Sequence, residues 1–256
     1  MLHKATDLFG ATIKATDDDH IGSLHDFYFD AEEWAVRYLV ADVGSWLFGR
    51  RVLLAPDSVQ SAQWNDKVFP VNLTRQQVKA SPEIDLAKPI SRQYQADLHE
   101  HYGWPAYWGA GAMPYSAGGG IAPAIQPIIE PTPASDMPAE VIEALEQSDH
   151  TPLQSVREVS GCPIEATDGA IGHVSDFFID DENWAIRYVL IATGNWLPAQ
   201  QVLLSTDWLD GVDWNEKQIY AKLTKAQIEH SPAYNPTARS DEAALYEYYG
   251  YPVYWK

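Results

Sequence analysis

The chain has 256 residues, of which 46% are hydrophobic, with 10 Trp and 14 Tyr; general disorder is excluded, and there is material for one large domain or two of about 100 residues. Its formal charge is −19, and Arg50-Arg51 is its strongest basic doublet, which argues against nucleic acid or an anionic membrane surface as a partner. The single cysteine, Cys162, excludes an intramolecular disulfide and a Cys-based metal site. No signal-peptide pattern and no membrane-length apolar run is present, so a cytoplasmic protein without a membrane span is expected.

In chain order, the first element is a strand over residues 21–30, where Phe27 and Phe29 share one face and Asp26, Tyr28 and Asp30 the other. Residues 30–34, DAEEW, have the composition of a hairpin loop, and residues 35–42 form the returning strand. Residues 51–54 read as a further strand. Segments 59–64 and 67–73 pair around the Asn65-Asp66 turn. A short helix over residues 74–80 is capped by Thr74 and stops before Pro82. A second helix, residues 91–102, places Leu98 and Tyr102 on one face and stops at Gly103, ahead of Pro105.

The whole pattern then recurs. The string from Ile21 aligns without a gap on the string from Ile171: Asp26 matches Asp176, Asp30 matches Asp180, Trp34 matches Trp184, Arg37-Tyr38 matches Arg187-Tyr188, and Trp46 matches Trp196. The agreement extends through Trp64-Asn65 and Trp214-Asn215 to the tails HEHYGWPAYW and YEYYGYPVYW. The repeat is too long for a solenoid unit and reads as a duplicated domain. The expected organisation is a first repeat over 1–108, a Gly/Ala/Pro-rich linker over 109–150, and a second repeat over 151–256. Within the linker, residues 138–147 suit a short helix and residues 125–129 a partner-docking segment.

Several short strands joined by hairpins suggest a small antiparallel barrel or sandwich in each copy. The string IGxxxDFxxDxxxWxxRYxxxxxGxW, followed by VLL, resembles a PRC-barrel domain. The LT-x-x-x-[VI]-x-x-SP segment and the YYGxPxYW-like tail resemble a bacterial subgroup of stand-alone tandem PRC-barrel proteins. The resemblance implies a mainly β chain. Each copy would be a small antiparallel PRC-type barrel followed by a short C-terminal helix and an aromatic tail. It implies a protein-interaction or assembly module and not catalysis; a ribosome-associated or RNA role is the family's other suggestion, opposed here by charge.

Asp26 with Arg37, repeated as Asp176 with Arg187, is the most prominent charged pair. A hairpin closed at residues 31–33 sets Tyr28 opposite Arg37 with Asp26 one diagonal step away. A structural salt bridge on the sheet face, with Arg stacked on Trp46 or Tyr28, is favoured over an anion site. Asp17-Asp18-Asp19 reads as a solvated turn, because the second copy keeps only Asp168. The histidines lack zinc spacing and Cys162 lacks an activating neighbour, so no metal, cofactor or catalytic residue is assigned. The aromatic tails, with Tyr102, Trp104 and Trp108 in the first and Tyr249, Tyr254 and Trp255 in the second, are either folded onto their own repeat or a contact surface. The expected function is a non-enzymatic interaction or assembly module whose two barrels pack together or self-associate. The alternative is a small-molecule or ion-binding protein using the Asp/Arg/Tyr/Trp face.

Overall fold

A computed structural model of the chain describes residues 1–17, 20–44, 50–82, 84, 89–108, 152–193, 201–213, 216–231 and 239–255. Trp46, Trp196, Asp18, Asp19, Trp214 and the linker segments named above lie outside the described residues. The chain divides into two compact units, Met1–Lys79 with Pro152–Lys256, and Ala80–Thr151. Both sheets belong to the first unit.

The first repeat contributes β1 (Leu2–Lys4), α1 (Ala5–Leu8), β2 (Thr12–Lys14), β3 (Gly22–Asp30), β4 (Ala35–Asp42), β5 (Arg51–Leu54), β6 (Val68–Pro70) and α2 (Arg75–Lys79). The other unit holds α3 (Arg92–Tyr102). The second repeat supplies β7 (Leu153–Ser155), α4 (Val156–Val159), β8 (Pro163–Ala166), β9 (Gly169–Asp180), β10 (Ile186–Ala192), β11 (Gln201–Ser205), β12 (Leu209–Asp213), β13 (Gln218–Ala221), α5 (Lys225–Glu229) and α6 (Arg239–Tyr249).

The strand order is β5-β4-β3-β2-β6 in one sheet and β11-β10-β9-β8-β13-β12 in the other. The expectation of purely antiparallel barrels is corrected in two respects. Strand β6 returns beside β2 in the same direction, and β13 does so beside β8, so each sheet contains a parallel pair. The strand paths are also open at their ends among the described residues. The fold is mainly β, with two sheets and few helices.

The sheets are not confined to their repeats. Strand β1 pairs antiparallel with β9 of the second repeat, setting Leu2 against Asp180 and Lys4 against Phe178. Strand β7 pairs with β3 of the first, setting Leu153 against Asp30 and Ser155 against Tyr28. Each repeat thus gives its leading strand to the other. This exchange explains why β3 is buried on both faces: Phe27 and Phe29 are fully buried, and Asp26, Tyr28 and Asp30, which alternation alone would expose, are buried as well. Bridging Ala35 and Ala185, where β4 and β10 begin, completes a pseudo-twofold seam.

The hairpins carry the same two bulges in both copies. His25 and Arg37 are extra residues in the β3–β4 ladder, as Ser175 and Arg187 are in β9–β10. Both turns end on a tryptophan in the left-handed region, Trp34 at φ 52° and Trp184 at φ 60°, a position normally given to Gly or Asn. Their carbonyls serve the seam. Trp34 O accepts from Ile186 N at 2.6 Å, and Trp184 O accepts from Val36 N at 2.9 Å.

Two matched glycines let the strands cross closely. A Cβ on Gly22 would fall inside van der Waals contact with the Asp42 carbonyl oxygen, and one on Gly172 would meet the Ala192 carbonyl oxygen at a backbone φ of +142°. Gly22→Ala and Gly172→Ala are each expected to lower stability by about 2–4 kcal/mol in urea denaturation. Gly211→Ala, with nothing within 4 Å of the added Cβ, should change it by less than about 1 kcal/mol.

Candidate functional site

The strand exchange is anchored by the two aspartates that the sequence singles out. Asp26 Oδ2 accepts from the Ser155 hydroxyl, and its Oδ1 accepts from Phe27 N at 2.7 Å and Arg157 N at 3.3 Å. Asp176 does the same in mirror fashion: Oδ2 accepts from the Thr6 hydroxyl, and Oδ1 from Phe177 N at 2.8 Å and Thr6 N at 3.2 Å. Each carboxylate therefore satisfies backbone donors of the other repeat's first helical turn, where N–H groups have no helical partner. Arg157 adds a hydrogen bond from Nε to the His25 carbonyl at 2.6 Å, and its guanidinium lies 4.1 Å from the Phe9 ring centroid.

The expected Asp26–Arg37 and Asp176–Arg187 pairs do not form. The bulge at Arg37 places Tyr28 opposite Tyr38, and Arg37 turns to Glu33 and, at 4.0 Å, to Asp30. Arg187 Nε donates to Asp180 at 3.2 Å, and its guanidinium lies 4.1 Å from the Tyr254 ring centroid. Asp30 also accepts from the N–H groups of Glu32 at 3.0 Å and Glu33 at 3.1 Å, which fixes the turn. The acidic loop has a simple role too. Asp17 accepts from Arg75 N at 2.7 Å and Asp168 from Lys225 N at 2.8 Å, so each serves the start of a helix.

An aromatic cluster fills the seam. Phe29 and Phe177 meet at 5.7 Å, Trp34 stacks on Phe29 at 5.4 Å, and Trp64 lies 4.6 Å from Trp184 and 5.0 Å from His3. The second tail packs on its own repeat. Buried Trp208 meets Tyr246 at 5.1 Å, Tyr249 at 4.5 Å and Tyr251 at 5.6 Å, while Trp255 lies 6.0 Å from Tyr246. Tyr254 donates to the buried carboxylate of Glu242 at 2.9 Å, and Tyr188 donates to the same oxygen at 3.2 Å. Burial pushes the Tyr246 and Tyr249 hydroxyls up to about 12 and raises that of Tyr254. In the other unit, Trp104 stacks on Tyr102 at 4.3 Å, Trp108 meets His99 at 4.7 Å, and Tyr107 donates to Gln95.

Cys162 is buried, and burial raises its thiol pKa, the opposite of an activated nucleophile. Among the described residues, no three His, Cys, Asp or Glu side chains are grouped to hold a metal ion. No described helix is long and apolar enough to cross a membrane.

Ser155, Thr6 and Arg157, which hydrogen-bond to Asp26 and Asp176, are not singled out by the sequence. The matched patterns Leu2-x-x-Ala5-x-x-Leu8 and Leu153-x-x-Val156-x-x-Val159 were the available signal.

Asp26 makes the exchange testable. Burial pushes its carboxyl above the usual value, against hydrogen bonds from Ser155, Phe27 and Arg157 and the Arg157 charge. An acid with a higher pKa in the folded state takes up a proton on folding, so its contribution is fully present below its unfolded pKa and is lost as pH rises through the folded pKa. The stability advantage of the wild type over Asp26→Asn is therefore expected to shrink as pH rises above the ordinary carboxylate range in urea denaturation, whereas growth with pH would contradict the burial argument. At neutral pH Asp26→Ala should cost about 2–3 kcal/mol, because the Ser155 hydroxyl and two N–H groups lose their acceptor.

The family model for the PRC-barrel domain matches residues 2–76 and again residues 154–228. No curated protein matches the chain. Both matched segments open within the exchanged arms, at β1 and β7, so the arms are part of the domain and not appendages to it. With both repeats matched over more than half its length, the chain belongs to the PRC-barrel family and carries the domain twice in tandem.

Proposed function

We propose that this chain is a non-enzymatic protein-interaction or assembly module, cytoplasmic, in which two PRC-barrel repeats act as one body. The observation that carries the reading is the reciprocal exchange: β1 completes the sheet of β9, and β7 completes that of β3. Exchange of this kind holds the surfaces of two repeats in a fixed relation, which is what a bivalent docking platform needs. The polar residues that would have suggested chemistry are spent on structure: Asp26 and Asp176 hold the arms, and Arg37 and Arg187 hold the turns. The aspartates and arginines on which a small-molecule site would rest are divided between these separate tasks.

Cutting the chain at a protease site placed within residues 109–150 tests the assembly. The two fragments should co-elute in size-exclusion chromatography and scatter as one particle; two independently tumbling domains would overturn the reading. Affinity capture from the native source, read by mass spectrometry, tests the interaction. A protein retained by the intact chain and lost with Asp26→Ala plus Asp176→Ala is expected. A thermal-shift response to nucleotides or organic anions without a captured protein would replace this reading with ligand binding.

A further inference from the structure

Two clefts flank the seam, each between the turn of one repeat and the edge of the other. In the first, of about 680 Å³, the turn carrying Glu32, Glu33 and Trp34 faces β12 and Lys222. In the second, Asp181 and Trp184 face residues 59–64.

The two have diverged. In the second cleft the facing edge is broken: Ser61 is left-handed at φ 45°, and Val59 and Gln63 meet their neighbours only as isolated bridges. Trp64 lines this cleft, at 4.6 Å from Trp184. In the first cleft Gly211 stands where Ser61 stands in the other repeat, and β12 runs through all five residues, paired with β13 with one bulge at Asp210. β12 is the last strand of its sheet, so its outer edge has no strand beside it among the described residues. A Cβ built on Gly211 meets nothing within 4 Å, so the sheet face at this position is uncrowded. Edge backbone groups in this state are a template for one more strand.

Charge sets what that strand can carry. Glu32, Asp207 and Asp210 supply three carboxylates to the lining beside Glu33, which is paired with Arg37, against Arg187 and Lys222. Arg187 is paired with Asp180 at 3.2 Å, while Lys222 Nζ donates to the neutral Asp207 carbonyl at 3.1 Å and keeps its charge, so the lining stays acidic. Trp34 adds an aromatic face of the kind that attracts a cation.

We propose that this cleft binds an extended segment of a partner protein, bearing Lys or Arg at alternate positions, as an added strand on the outer edge of β12. The proposal rests on the interaction-module reading and names where and what that module binds.

The probe is a synthetic peptide of about eight residues alternating lysine and valine, with a glutamate–valine peptide as control, presented to the full chain. The lysine peptide should slow amide exchange over residues 209–213, and Asp210→Lys should weaken its binding about tenfold. Glu229→Lys, an equal change of charge at an exposed site on α5, should weaken it less than about twofold. Equal weakening by the two variants would mean nonspecific attraction to a chain of charge −19 and would overturn the proposal. So would protection elsewhere, equal binding of the glutamate peptide, or no binding at all. If Asp210→Lys leaves capture of a native partner intact, the cleft assignment fails while the interaction reading stands.

Discussion

A buried carboxylate that accepts hydrogen bonds from another repeat's first helical turn is the constraint on which this structure depends. It occurs twice, at Asp26 and Asp176. A buried acceptor without its donors is costly, and so are N–H groups left without an acceptor, so the arm and the strand it covers stand or fall together. Register follows from it. With Ser155 held on Asp26, β7 lies against residues 28–30, and Leu153 is placed to cover the end of the hairpin. The bulges belong to the same device. They turn Arg37 and Arg187 away from the aspartates and toward the turn carboxylates, leaving Asp26 and Asp176 for the arms.

Duplication supplied a symmetric frame, and the two halves have since been put to different uses. Ser155 donates to Asp26, whereas Thr6, two residues further along its arm, donates to Asp176. Gln95 meets Tyr107 in one tail where Glu242 meets Tyr254 in the other. Trp184 reaches across the seam to Trp64, while Trp34 lies on Phe29 of its own repeat. The pattern is of a shared skeleton with divergent fillings, as expected when backbone pairing fixes the frame and side chains remain free to specialise.

Much of the skeleton was legible in the chain. Strands over 35–42 and 51–54 appear with those bounds, and the helix expected over 91–102 spans 92–102, with the expected stop at left-handed Gly103. The duplication was legible because Gly, Asp, Trp and Arg recur at one spacing. The arms were not: three residues are too few to show a period, and the partner of each lies in the other repeat. Nor was the register, since a bulge adds a residue without marking the sequence, and one extra residue moved Arg37 off Tyr28. The roles of Asp26 and Asp176 were hidden for both reasons. Their importance could be seen, but their partners depend on an arm and a bulge that pattern alone does not reveal.

The exchange also bears on how the chain is made. The bond from Ser155 to Asp26 spans 129 positions, and that from Thr6 to Asp176 spans 170. Contacts so distant along the chain close slowly, because loop entropy is spent before they form. During synthesis the first repeat leaves the ribosome with β3 lacking its neighbour and its own arm still awaiting β9. It therefore passes through a period with an open edge, and the acidic side chains spread over the chain help to keep nascent copies apart until the second repeat arrives.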